Sequence, residues 1–251
     1  MPLLVFGVVR ADHPPPGGDD EDDRLGVALV QSGDVAAAVT EIADEQELTE
    51  DDATWHLDTL ILLLRDGPVL PLAFGTVSPD EDAVRAEVLD PVADDLVRRL
   101  DAVDGLVEAR FEVFFDEAAA LKQVMQGDPD LQGLAAESRD KGGLDVRIAL
   151  GEAVSGQLTE WRRQQAEAML PALAEPVESV VELESHEPLQ QRWAFLVRGD
   201  RLEELDQAVG KIRSSLGTGA AVEYVGPLPV YSFLAQLEPA PPAEQRSAWG
   251  W

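Results

Sequence analysis

Three imidazoles serve the whole chain, His13, His56 and His186, and there is no cysteine. Nucleophilic, metal or haem chemistry needs such groups to converge, yet these three fall in different segments. No H-E-x-x-H or H-x-x-E-H pattern joins any of them. The missing cysteines exclude disulfides, thiolate metal sites and cysteine nucleophiles. Carboxylates number 49, so dense that acid/base pairs at any spacing arise by chance. Gly17-Gly18 precedes acids that would repel a phosphate, and Gly142-Gly143 lacks the strand before it and the lysine after it that a phosphate loop needs. The run Asp19 to Asp23 lacks the alternating ligands and closing glutamate of a calcium loop; it reads as a solvated acidic loop. His13, in that loop, and His186, in a turn, read as solvated. His56, on the flank of an apolar helical stripe, reads as a partly buried structural residue. No catalytic, cofactor or metal residue is assigned.

The charge balance narrows the partners. Nineteen basic residues face 49 acidic ones, a net charge of −30. Such a chain repels nucleic acid, whose phosphates bind by exchanging counterions for Lys and Arg, and an anionic membrane surface. The same charge keeps a protein dispersed, and an acidic host proteome would produce it too. With 45% hydrophobic and 27% charged residues the chain can bury a real core. Its length suits two compact domains. Residues 1–10 read as a strand and not a signal peptide, and the most apolar helical stretch, 57–64, is too short to span a bilayer. A soluble, intracellular protein is expected.

The elements that would position any site follow from periodicity. Residues 3–10 form an apolar strand, and 13–23, rich in Pro, Gly and Asp, an exposed loop. Residues 26–30 and 35–42 form a hairpin around Ser32-Gly33-Asp34. Thr49 and Asp52 cap a helix that carries Leu57, Leu60, Ile61 and Leu64 on one face. After Asp66-Gly67-Pro68, residues 69–77 read as a short strand at a sheet edge, because Pro71 cannot complete a ladder. A helical stretch opens at Ser78-Pro79 and restarts at Asp90-Pro91, with Val92, Leu96, Leu100 and Val103 as its buried stripe. Residues 106–115 alternate cleanly, Val107, Ala109, Phe111, Val113 and Phe115 against Glu108, Arg110 and Glu112. Residues 137–143 read as a linker. The second half gives a long helix with Leu150, Val154, Leu158 and Trp161 on one face, strands at 177–184 and 191–198, a heptad-spaced helix capped by Asp200, and a strand at 220–224. The fold class expected is α+β: two ferredoxin-like domains with antiparallel sheets and helices packed on one face. The domains expected are residues 1–136 and 144–235, with a flexible Pro/Ala-rich tail at 236–251. Strand 106–115 fits either half.

Two motifs carry a resemblance. Val69-Leu70-Pro71-Leu72-Ala73-Phe74-Gly75-Thr76-Val77 follows the helix that contains His56, and Tyr224-Val225-Gly226-Pro227-Leu228-Pro229-Val230-Tyr231-Ser232-Phe233 lies near the C-terminus. Together they resemble the "LPLRFGT" and "GPWPPYSF" segments of the gas vesicle protein F/L family (GvpF/GvpL). The opening strand and residues 105–113 are similar to the family's first and mid-chain strands. The similarity spans about residues 3–234. Ala73 stands where the family usually has Arg, and Leu228 and Val230 stand where Trp and Pro are common.

The resemblance implies two ferredoxin-like domains and a non-catalytic accessory role in gas vesicle assembly. It also implies binding to the main shell protein and other accessory proteins, no cofactor, and a location at the gas vesicle in the cytoplasm. Shell subunits must be apolar on the gas side, so a handler needs an apolar contact surface on a charged, soluble body. The candidate partner-binding residues are Leu70, Leu72 and Phe74 at the sheet edge, and Leu228, Val230, Tyr231 and Phe233 near the end. The other reading of the latter group packs them across the second domain's core, where they would lock down the tail. Trp249-Gly250-Trp251 is assigned no function. The alternative function is a haem or small-substrate enzyme on fused ferredoxin-like halves, in the manner of a dimeric α+β barrel, with His56 or His186 as axial ligand.

Overall fold

The computed structural model describes residues 1–14, 26–44 and 47–236. Most of the acidic loop and the tail from residue 237, with its closing Trp-Gly-Trp, lie outside the described residues. The chain is an α+β protein of two units. The first comprises residues 1–108, 198–200 and 226 onward, and the second residues 109–197 and 201–225. This differs from the expected division at 137–143. That polar stretch continues a helix to Lys141, because Asp128 caps it and Pro129 starts it in the first turn.

In the first unit, β1 (Leu3–Arg10) is flanked by β3 (Val35–Glu41) and by β4 (Leu70–Pro71), with β2 (Val27–Ser32) outside β3. A second short strand, β5 (Val77–Ser78), also pairs with β1. The β2–β3 hairpin turns at Gly33, whose φ of +58° suits glycine. Leu4, Phe6 and Val9 of β1 join Leu60 and Leu63 of α1 (Glu50–Leu64) in one apolar cluster. Leu3, Val5 and Val8 are buried as well, and α3 (Ala93–Ala102) also packs on β1. The sheet is therefore covered on both faces here. β1 and β3 are continuous apolar runs instead of alternating ones, as a doubly covered strand requires. Before α3, a short α2 (Glu81–Ala83) capped by Asp80 passes through a π-helical turn at Val84–Leu89 and a 3₁₀ turn. That irregular path leaves Val92 46% exposed, off the expected stripe, while Leu100 and Val103 are buried.

The second unit settles where strand 106–115 belongs. β6 (Leu106–Phe115) joins β7 (Val177–Leu183), β8 (Gln190–Arg198) and β9 (Ala220–Leu228) in the order β7-β8-β6-β9. Helices follow the first and third of these strands in chain order, the split βαβ arrangement of ferredoxin-like modules. The first sheet has the same spatial order, β2-β3-β1-β4. Three helices, α4 (Glu117–Gly127), α5 (Pro129–Lys141) and α6 (Leu144–Glu167), fill the first crossover of the second unit. Ala109, Phe111 and Val113 point to one side, where Trp193, Phe195 and Val197 meet Leu205, Val209 and Ile212 of α7 (Leu202–Ser215). Asp200 lies in a 3₁₀ turn before α7 and does not cap it; Arg201 holds the cap position, and its side chain pairs with Glu204 at 2.7 Å instead of capping the helix.

Gly7 shows how closely β1 passes beneath β4. A Cβ there would lie 2.7 Å from the Leu70 carbonyl oxygen and 3.0 Å from Leu60. Gly7→Ala is expected to lower stability by about 1–3 kcal/mol through overpacking. Gly151→Ala on α6, where a Cβ meets nothing within 4 Å, is expected to raise it by about 0.5–1 kcal/mol. Denaturant unfolding of the two variants checks the contrast.

Candidate functional site

The expected strand at 69–77 is two short strands around a turn. Thr49 and Asp52 form a capping box, with the Thr49 N–H donating to Asp52 Oδ2 at 2.8 Å and the Asp52 N–H to Thr49 Oγ1 at 3.3 Å. This fixes the start of α1, and Leu60 and Leu63 seat the helix on the sheet. The chain returns beside β1, where the Leu72 N–H donates to Phe6 O at 2.9 Å and the Val5 N–H to Thr76 O at 2.8 Å. Between these bonds, Thr76 N–H and Oγ1 both donate to Ala73 O, at 3.2 and 2.7 Å. Gly75 adopts φ +87°, a left-handed conformation that glycine alone takes without strain. On its other side, against β3, β1 slips register between Val5 and Gly7. The turn lifts Phe74 out of the sheet to 40% exposure and leaves Val77 at 47%. Leu70 is buried at 5% and Leu72 is half-buried.

His56 holds this lip from below. Its side chain is 2% exposed, and Nε2 donates to the Leu72 carbonyl at 3.2 Å. Its ring lies 5.2 Å from Phe6 and meets Phe74 edge-on at 5.6 Å. Nδ1 is buried without a hydrogen-bond partner. Burial pushes the His56 pKa below its ordinary 6.5, partly offset by the bond to Leu72. The structural reading of His56 thus has a definite geometry. His13, by contrast, is not solvated: it is 7% exposed, with its ring nitrogens 2.7 Å from Pro14 O and 2.9 Å from Leu63 O. Leu63 O is among the last carbonyls of α1; it accepts from the Asp66 N–H at 3.1 Å as well. His186 is exposed and lies against Arg192.

The second motif lies inside, against the first. Leu228, Val230 and Phe233 are 3%, 1% and 1% exposed, so their side chains face the protein's own interior. Tyr231, half-buried, packs on the cluster of Leu4, Phe6, Leu60 and Leu63. The 3₁₀ turn at Tyr231–Gln236 lies beside β4. The segment is therefore fastened to the first unit, where packing across the second domain's core was the other expectation. Its fastening is a residue that alternation had placed on an outer strand face. Glu108 is 0% exposed; its Oε2 accepts from the Ser232 N–H at 2.7 Å and its Oε1 from Ser232 Oγ at 2.9 Å. The only signal for it in the sequence is the serine inside the closing motif.

Among the described residues no group of three or more His, Cys, Asp or Glu side chains is arranged to hold a metal ion, and no helix is long and apolar enough to cross a membrane. The site's geometry is that of a surface: an exposed aromatic ring on a rigid support.

The family described as gas vesicle synthesis protein GvpL/GvpF matches residues 2–235. The chain belongs to this family. Gas vesicle protein F of Streptomyces sp. (strain CB03234) is 31% identical over 247 residues, covering 93% of this chain and 100% of that protein. Two solved GvpF structures share the fold. That from Microcystis aeruginosa aligns with a TM-score of 0.75 at 18% identity, and that from Anabaena sp. PCC7120 with 0.79 at 19%. Each alignment covers 93% of this chain and 98% of the other. The two GvpL/GvpF motifs meet in three dimensions in this chain, one forming the sheet edge and the other covering it.

Two expectations follow. Glu108→Ala leaves two donors in the interior without an acceptor and should cost about 2–4 kcal/mol. Ser232→Ala removes one hydroxyl bond and should cost about 1 kcal/mol; chemical denaturation of both variants measures the difference. The second concerns pH. Above 6.5 the His56 ring is neutral in folded and unfolded chains alike; as the pH falls through 6.5 the unfolded chain takes up the proton first, so His56's share of stability declines. His56→Gln, which keeps a donor toward Leu72 and does not titrate, should flatten the slope of melting temperature against pH just below 6.5.

Proposed function

We infer that this chain is a non-catalytic accessory protein that binds the main gas vesicle shell protein, and other accessory proteins, while vesicles are assembled in the cytoplasm. Its contact surface is the lip of Leu72, Phe74 and Val77. The observation that carries this reading is Phe74, a large apolar ring left 40% exposed yet held edge-on by a buried histidine. A ring fixed before contact loses little side-chain entropy on binding, which is how aromatic anchors become the dominant residues of an interface. Leu70, Leu228, Val230 and Phe233, being buried, position that surface and do not form it. Family membership supports the vesicle role. The net charge of −30 keeps the handler dispersed while it holds an apolar subunit, and turns away nucleic acid and anionic membranes.

Co-expression tests this. The native chain should keep the main shell protein in the soluble fraction and co-purify with it. Phe74→Asp should fold normally and lose most of that capacity, consistent with an anchor contributing about 2 kcal/mol or more to binding. A soluble fraction free of shell protein with the native chain, or undiminished by the substitution, would contradict the reading.

A further inference from the structure

The lip stands in a strongly one-sided stretch of charge. From Asp44 to Val84 there are eleven Asp and Glu residues and a single basic residue, Arg65. Acids lie on both approaches to the exposed ring. Glu47, Glu50 and Asp51 are exposed where the chain enters α1, next to Leu48, whose methyl lies beside Gly75. Beyond Val77 come Asp80, Glu81 and Asp82, exposed at the start of α2. Arg85 pairs with Glu81 at 2.7 Å and with Asp82 at 3.2 Å, which compensates part of that side. Among the described residues none of Glu47, Glu50 and Asp51 forms an ion pair.

Local charge outweighs the whole-body charge at such a surface. At physiological ionic strength, fields between exposed groups fade over about 8 Å. A docked segment therefore senses the rim carboxylates far more than those elsewhere. An apolar centre with an anionic rim gains from a ligand only when apolar contact and positive charge arrive together. An apolar segment with acidic flanks gains the first and is penalised on the second.

We propose that the lip receives a segment of the vesicle partner in which apolar side chains are flanked by Lys or Arg. This rests on the lip being the contact surface and adds the charge character of what docks there. The probe is a short synthetic peptide of alternating leucine and serine with lysines at both ends, titrated calorimetrically into the full chain beside a counterpart with glutamates at both ends. Glu47→Lys combined with Asp51→Lys reverses the rim. Glu178→Lys combined with Glu187→Lys makes the same change in net charge at exposed positions of the second unit.

The lysine peptide should bind and the glutamate peptide should not. Rim reversal should weaken binding roughly tenfold, and the second-unit pair by less than about twofold. A milder pair, Glu47→Gln with Asp51→Asn, should fall between the native chain and the reversal, with melting temperatures showing that each variant folds. Equal binding of both peptides, or equal weakening by the two reversals, would overturn the proposal. Phe74→Ala separates the layers. If it abolishes binding while rim reversal does not, the charge inference alone fails. If it leaves binding unchanged, the lip is not the contact and the underlying reading fails with it.

Discussion

A carboxyl group with no exposed surface governs the architecture around the lip. Glu108 accepts two bonds from Ser232, so the chain leaving β9 is fastened beside β4. A buried carboxyl group is tolerated only when its oxygens are satisfied, and Ser232 supplies a backbone and a hydroxyl donor from one residue. With the segment in place, Val230, Phe233 and Tyr231 complete the packing next to β4, at what would otherwise be an open sheet edge. Open edges are templates for unwanted strand pairing.

The consequence is a separation of roles within a few residues. Leu70 and Pro71 are buried and serve the sheet, whereas Phe74 and Val77, three and six residues beyond Pro71, are exposed. The turn that divides them depends on Gly75 in a left-handed conformation and on paired bonds from Thr76 to Ala73. His56 links the two parts, bonding the carbonyl of Leu72 while its ring supports Phe74. The exposed ring is thus part of a braced structure and not the end of a loose loop.

Much of this was legible in the sequence, where local chemistry is decisive. The Thr49–Asp52 cap, the hairpin at Gly33 and the alternation of residues 106–115 all stand in the structure, because each depends on its neighbours alone. The turn inside residues 69–77 was not legible: apolar content argued for a strand, and the bonds that bracket the break, from Leu72 to Phe6 and from Val5 to Thr76, join it to a strand distant in sequence. His13 was hidden in a similar way, since its partner Leu63 lies fifty positions away. Glu108 was misread because alternation assigns a residue to a face without revealing what covers that face. Of the candidate contact residues, Phe74 is exposed and Leu72 half-buried, and the sequence named both. It could not separate them from Leu228, Val230 and Phe233, which are equally apolar and lie in the protein's own core.

The central claim is that Phe74, presented from a closed sheet edge, touches the vesicle subunits directly. Replacing Phe74 with a photoreactive phenylalanine analogue in cells that are forming vesicles, followed by irradiation and mass spectrometry, tests it most directly. The account predicts covalent adducts to the main shell protein from position 74, and far fewer from an analogue placed at exposed Val180 of the second unit. Adducts to shell protein from position 180 with none from position 74 would contradict it.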